Sequence, residues 1–66
     1  MKLREFNFNS IKGMGLAIHV GDKPVASGFI GEVLEEVLHL ADYEIKSTNT
    51  FLGDMFVIRL QKPKGE

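Results

Sequence analysis

The nucleophiles of this 66-residue chain do not fall into a known catalytic pattern. The serine and threonine hydroxyls available are Ser10, Ser27, Ser47, Thr48 and Thr50. None lies in a nucleophile motif, in which a strained turn presents the hydroxyl to a base and to oxyanion donors. The chain is also short for enclosing a ligand pocket, which usually needs about 300 Å³ or more. We therefore expect no enzyme and no catalytic residue.

Metal-binding chemistry has few candidate ligands. There is no Cys, which removes thiolate sites and disulfides. The two histidines, His19 and His39, are twenty residues apart, and this spacing matches no known metal-ligand motif. Glu35 precedes His39 by one helical turn, which allows a surface pair. We predict no metal and no cofactor. The remaining catalytic hypothesis is a site shared between two chains, in which His19 or Glu35 meets residues of a second copy.

Two glycine motifs have spacings found in ligand-binding loops. The GMG sequence at residues 13–15 begins like a dinucleotide fingerprint, but it lacks the third glycine and the βαβ context. We interpret it as a hairpin turn. The GFIG sequence at residues 28–31 has the GxxG spacing of loops that hold nucleic-acid backbone, but it contains no Lys or Arg. We interpret it as a helix entry packed closely on a sheet.

Composition narrows the class of protein. Hydrophobic residues make up 44% of the chain, which argues against disorder. Eight Lys and Arg against nine Asp and Glu give a net charge of -1, without the basic excess of a general nucleic-acid binder. The MKLRE start lacks the apolar stretch of a signal peptide, and no apolar run approaches the roughly 20 residues of a membrane span. We expect a cytoplasmic protein with no membrane contact.

Hydrophobic periodicity predicts the elements that position these residues. Alternation predicts strands over residues 2–9, 16–20, 43–51 and 55–61. Val25 and Ala26 extend a strand or lead into the helix. Ser27 is a candidate N-cap for a helix that ends near Asp42, although Gly28 and Gly31 let its start slip to about residue 31. The helix is indicated by an apolar stripe of Ile30, Val33, Leu34, Val37, Leu38 and Ala41.

This order predicts an α+β fold in ββαββ order, a four-stranded antiparallel sheet with one helix packed on one face. Residues 1–61 form a single domain, and residues 62–66 form a polar C-terminal tail. A two-residue turn at Gly53 and Asp54 would pair Phe51 with Phe56, Leu52 with Met55, and Thr48 with Arg59. Strand order is left open. The residues expected on the core face of the sheet are Phe6, Phe8, Leu16, Ile18, Val20, Phe51, Phe56, Ile58 and Leu60.

One helix cannot cover both faces of a sheet, so the second face is the candidate functional surface. Alternation places Ser47 and Asn49 on the core face, and Leu3 on the outer face. A mixed outer face suits either water or contact with another protein. The small core supplies about 3–5 kcal/mol, and self-association is a common supplement at this size. The candidate interface residues are Leu3, His19, Lys46, Thr48, Met55, Val57 and Arg59.

We therefore expect a small non-enzymatic protein-interaction or regulatory module that acts through self-association or partner docking. The partner is a second copy, giving a homo-oligomer, or another protein. The alternative is a nucleic-acid-binding regulator that uses a modest basic patch of Lys46, Arg59 and the tail lysines. Alternation places no aromatic residue on that face, which counts against base stacking. Glu32, Glu35 and Glu36 form either a solvated helix face or a docking face for a basic partner.

Overall fold

In the part of the chain that the structure describes, four strands and one helix make up the regular structure. The computed structural model describes residues 1–11, 13–51 and 53–63. The elements are β1 (Gly15–Val20), β2 (Lys23–Phe29), α1 (Ile30–Glu36), β3 (Glu44–Phe51) and β4 (Met55–Gln61). Short 3₁₀ turns occur at Leu3–Glu5, Phe8–Ile11 and Leu38–Leu40. The predicted α+β class in ββαββ order, with one helix, is confirmed.

The strands form one sheet in the order β2-β1-β4-β3. Antiparallel pairing joins β1 to β2 and β3 to β4, whereas β1 and β4 run parallel at the centre. The sheet is therefore mixed, and the prediction that it is purely antiparallel is wrong. The reason is the connection through α1, which leads from β2 to β3. A helical crossover of this kind lets β3 run in the same direction as β2, and β4 therefore runs in the same direction as β1. Alternation reports which face a residue occupies but not the direction of its strand.

Residues 2–9 do not form the predicted strand, because 3₁₀ turns at Leu3–Glu5 and Phe8–Ile11 interrupt it. The Glu5 carboxylate accepts the Lys2 N–H at 2.7 Å. The Asn7 side-chain oxygen accepts the Asn9 N–H at 3.1 Å. Such bonds offer the backbone an alternative to a sheet ladder. The strand that completes the first hairpin is β2 instead, of which the sequence pattern indicated only Val25 and Ala26.

The helix begins at Ile30, close to the later of the two predicted starts, and ends well before the predicted end near Asp42. Its N-cap is Phe29 rather than Ser27, because residues 27–29 still belong to β2. At Val37 the backbone leaves helical geometry, with φ -107° and ψ 19°, and continues as a 3₁₀ turn. The three-residue period of that turn buries Val37 and Leu40 together, while Leu38 is 71% exposed. Leu38 is thus not part of the buried stripe.

The core lies between α1, the N-terminal turns and one face of the sheet. Phe6 packs edge-on to Phe8 with centroids 4.8 Å apart, and its ring lies 5.6 Å from that of Phe56. Leu3 is only 3% exposed, so its predicted place on the outer face is wrong. It lies in a turn, where strand alternation does not apply. The buried core residues are Leu3, Ile11, Leu16, Ile18, Val33, Val37, Leu40, Ile58 and Leu60.

A bulge at Lys46 changes the facing of the rest of β3. Ile45 pairs with Leu60, and the next pair is Ser47 with Arg59, so Lys46 is the extra residue. Every later side chain of β3 therefore moves to the opposite face from the one predicted. The turn is also longer than two residues, since Phe51 pairs with Met55.

Several predicted positions in β3 are corrected by this register. Phe51 lies on the outer face and is 60% exposed, so its place in the core and its pairing with Phe56 are wrong. Thr48 pairs with Ile58 rather than Arg59, which places it on the helix side of the sheet. The predicted pair of Leu52 with Met55 lies outside the described residues. No helix within the described ranges is long and apolar enough to cross a membrane.

Candidate interaction surface on the open sheet face

The sheet face opposite α1 carries its side chains in rows that cross all four strands. In the first row, Gly15 pairs with Phe29 on one side and with Met55 on the other, and Met55 pairs in turn with Phe51. Paired residues share one face of a sheet. The register thus places Phe29, Gly15, Met55 and Phe51 side by side, and we call these four residues the apolar row.

The apolar row is exposed at both ends and filled in the middle. Phe29 is 76% exposed on edge strand β2, and Phe51 is 60% exposed on edge strand β3. A Cβ atom on Gly15 would lie 3.1 Å from Met55 Cε and 3.2 Å from its sulfur. The thioether therefore lies over the glycine. The absence of a side chain at residue 15 is what lets the methionine occupy the gap between the two aromatic rings.

The next two rows become progressively more polar. The middle row contains Ala17, which is 8% exposed, paired with Ser27 and with the half-buried Val57, and Val57 pairs with Asn49. The last row, which we call the polar row, consists of Pro24, His19, Arg59 and Ser47. The open face is therefore apolar at one end and cationic at the other.

Arg59, a member of the polar row, lines a depression that reaches Phe51 in the apolar row. The depression has a volume of about 130 Å³ and is bordered by Asn49, Phe51 and Val57. The Arg59 Nε atom is shielded from solvent and has no hydrogen-bond partner among the described residues. An arginine guanidinium forms directional bonds with a carboxylate, so Arg59 is the residue of this face that fits an acidic side chain.

An open groove extends the apolar row beyond the end of the sheet. Its volume is about 840 Å³, and it begins at Phe29 and Met55. Phe8, Met14 and Leu34 supply further apolar walls, so the exposed apolar surface continues toward α1. Both glycine motifs border this groove. Methionines lining such a surface can adapt to partners of different shape.

Four of the predicted interface residues lie together on this face, namely His19, Met55, Val57 and Arg59. Lys46 is exposed at the bulge on the β3 edge, while Leu3 is in the core and Thr48 faces the helix side. Sequence reasoning missed Phe29 and Phe51, which are the exposed large hydrophobic residues of the face. Phe29 lies within the GFIG motif at residues 28–31, which the sequence analysis had noted. No feature of the sequence indicated the bulge at Lys46, which places Phe51 on the open face.

The other candidate chemistry does not converge on one place. His19 lies on β1, and His39 lies in the 3₁₀ turn beyond the end of α1, so the helical pairing expected for Glu35 does not apply. Within the described ranges there is no group of three or more His, Cys, Asp or Glu positioned to hold a metal. Glu32, Glu35 and Glu36 are exposed on α1, on the opposite side of the sheet from the apolar row.

Comparison with protein-family models, curated proteins and solved structures yields no match to this chain, so no function is carried over from a relative.

Proposed function

We propose that this chain is a small non-enzymatic protein-interaction module that docks a protein partner on its open sheet face. The observation that supports this is the apolar row, in which two exposed phenylalanines flank a methionine on a face that no other element covers within the described residues. Aromatic residues and methionine are enriched at interfaces. A contiguous apolar patch with a polar border is typical of contact surfaces.

The chemistry of the face defines the partner it fits. The apolar row accepts apolar side chains, and Arg59 beside it accepts a carboxylate. The partner surface is therefore apolar with acidic side chains at its border. A standard interface buries about 800 Å² from each partner, which is about a sixth of the 4644 Å² surface of this chain.

Site-specific photocrosslinking tests this proposal. A benzophenone side chain placed at residue 29 should give a discrete adduct in extract of the cells that encode the chain. The matched control places the same group at residue 38, because Leu38 is similarly exposed, at 71% against 76% for Phe29, but lies outside the open face. Arg59→Glu should abolish the adduct from residue 29 by opposing the acidic border. Equal adducts from both positions, or an adduct insensitive to Arg59→Glu, would reject the proposal.

A second candidate function is binding of single-stranded nucleic acid. It is favoured by the exposed aromatic rings, since the sequence pattern had placed none on this face. Phe29 and Phe51 are three strand spacings apart, roughly 14 Å, and base stacking on such rings is tolerant of sequence. The net charge of -1 weighs against it, because phosphate neutralisation supplies most of the affinity of such proteins.

Fluorescence anisotropy with a labelled oligothymidylate separates the two functions. Binding that falls steeply with added salt and is lost in Phe51→Ser would favour nucleic acid. An absence of binding at low salt would eliminate this second candidate and leave the protein-docking proposal untouched.

A further inference from the structure

The outer edge of β3 is paired by the chain's own N-terminus at its beginning only. The Ile45 N–H donates to the Met1 carbonyl at 2.8 Å, and the Leu3 N–H donates to the Tyr43 carbonyl at 2.9 Å. Lys2 forms an isolated antiparallel bridge with Glu44. The chain then turns away at Leu3–Glu5. Residues 46–51 are exposed, and within the described ranges no strand pairs with their outer edge.

The backbone groups that point outward on this edge belong to alternate residues. The Thr50 N–H donates to the Asn49 side-chain oxygen at 2.9 Å, so it is directed away from β4. In an antiparallel pair, inward and outward backbone groups alternate along the strand. The N–H and C=O of Thr48 therefore also point outward. An unpaired edge of this kind is a template for another strand.

The opposite edge of the sheet lacks this property. Strand β2 begins with Lys23 and Pro24, and Pro has no N–H to donate. A bulge at Val25 shifts its register with β1. Near its end Gly28 has a φ of +141°, outside the geometry of an extended strand. Features of this kind protect an edge strand from pairing with another chain. Residues 47–51 of β3, in contrast, contain no Pro and no charged residue.

We propose that β3 pairs antiparallel with β3 of a second copy, about a two-fold axis at Asn49. This register overlaps the two uncharged segments, residues 47–51, completely. It places Thr48 opposite Thr50 of the second copy, and their outward backbone groups form about four hydrogen bonds once each Thr50 N–H exchanges the Asn49 side-chain oxygen for the Thr48 carbonyl of the second copy. Thr–Thr cross-strand pairs are favourable. The two Lys46 side chains lie at opposite ends of the paired segment, which avoids like-charge contact.

This pairing would create one continuous eight-stranded sheet. A two-fold axis between antiparallel strands is perpendicular to the sheet, so both open faces lie on one side and both helices on the other. The surface offered to a partner is then doubled. The inference goes beyond the proposed function, since edge pairing requires nothing to bind the open face.

Light scattering over a concentration series tests the pairing with Thr48→Pro and Thr48→Val. Proline removes the outward N–H of Thr48 and is tolerated on an edge strand, whereas valine keeps the N–H and the shape. We expect wild type and Thr48→Val to dimerise equally, and the dissociation constant of Thr48→Pro to rise by about tenfold or more. A wild type that stays monomeric, or a folded Thr48→Pro that dimerises normally, overturns the proposal.

Two further variants keep the test decisive. Should Thr48→Pro fail to fold by circular dichroism, Thr48→Lys combined with Thr50→Lys replaces it, because both positions are exposed and the register sets these charges against each other across the axis. Normal dimerisation of that folded double variant rejects the pairing. Phe29→Ser, on the other edge strand, should leave the dimer intact. Loss of the dimer in Phe29→Ser alone would instead assign self-association to the open face.

Discussion

The thioether of Met55 lies directly over Gly15, so two residues of adjacent parallel strands share one position on the open face. A Cβ on Gly15 would approach Met55 Cε to 3.1 Å and its sulfur to 3.2 Å. Contacts this short require the neighbour to move, and the neighbour here is the flexible end of a side chain. The Met55 side chain thus fills the space above Gly15, and the apolar row is continuous between Phe29 and Phe51.

A double-mutant cycle at these two residues should reveal strong coupling. Gly15→Ala alone is expected to cost about 1 kcal/mol of unfolding free energy, because it crowds the thioether. In a Met55→Ala background the same change should be neutral or stabilising by about 0.5–1 kcal/mol, because Ala restricts the unfolded chain more than Gly. Urea denaturation of the four proteins gives the coupling energy. Additive effects would contradict the observed contact.

The sequence predicted the central part of this sheet well because its alternation is undisturbed there. Leu16, Ile18, Ile58 and Leu60 lie on the core face as expected, and His19 lies on the other. The errors come from places where a local feature interrupts the period of two. The bulge at Lys46 reversed the facing of Phe51, and the turns near the N-terminus carried Leu3 into the core.

The sequence therefore predicted only part of the candidate site. Its central residues on β1 and β4 follow from alternation alone. Its aromatic ends lie on β2 and β3. Their positions depend on where a bulge occurs and on which strands pair in each hairpin, and hydrophobic periodicity predicts neither. A one-residue shift moves every later side chain to the other face.

The corrected position of Leu3 has a direct consequence for stability. Leu3→Ala should lower the free energy of unfolding by about 2–4 kcal/mol, because Leu3 is 3% exposed and contacts the core cluster. Arg4→Ala is the control. Its side chain pairs with Asp42 at the surface, where both groups are more than half exposed, so the change should be within about 1 kcal/mol. Equal effects in chemical denaturation would place Leu3 outside the core.

The 3₁₀ turn after the helix makes opposite predictions for two neighbouring residues. Val37→Asp should unfold the domain, because it buries a charge at a position that is 2% exposed. The cost exceeds the roughly 3–5 kcal/mol that a core of this size supplies. Leu38→Asp should leave the fold intact, since Leu38 is 71% exposed. Circular dichroism measures both, and a folded Val37→Asp would mean that this segment packs differently.

The apolar row predicts that exposed aromatic residues matter for association and not for folding. Phe29→Ser should change the free energy of unfolding by less than about 0.5 kcal/mol, because Phe29 is 76% exposed. The same change should abolish crosslinking from a benzophenone at residue 57, which lies in the neighbouring row of the open face. Leu38→Ser removes a side chain of similar exposure from the other side of the molecule and should leave that adduct unchanged. If Leu38→Ser weakens the adduct as much as Phe29→Ser does, the contact is not specific to the open face. If neither does, the apolar row is not the docking surface, and the exposure of Phe29 needs another explanation.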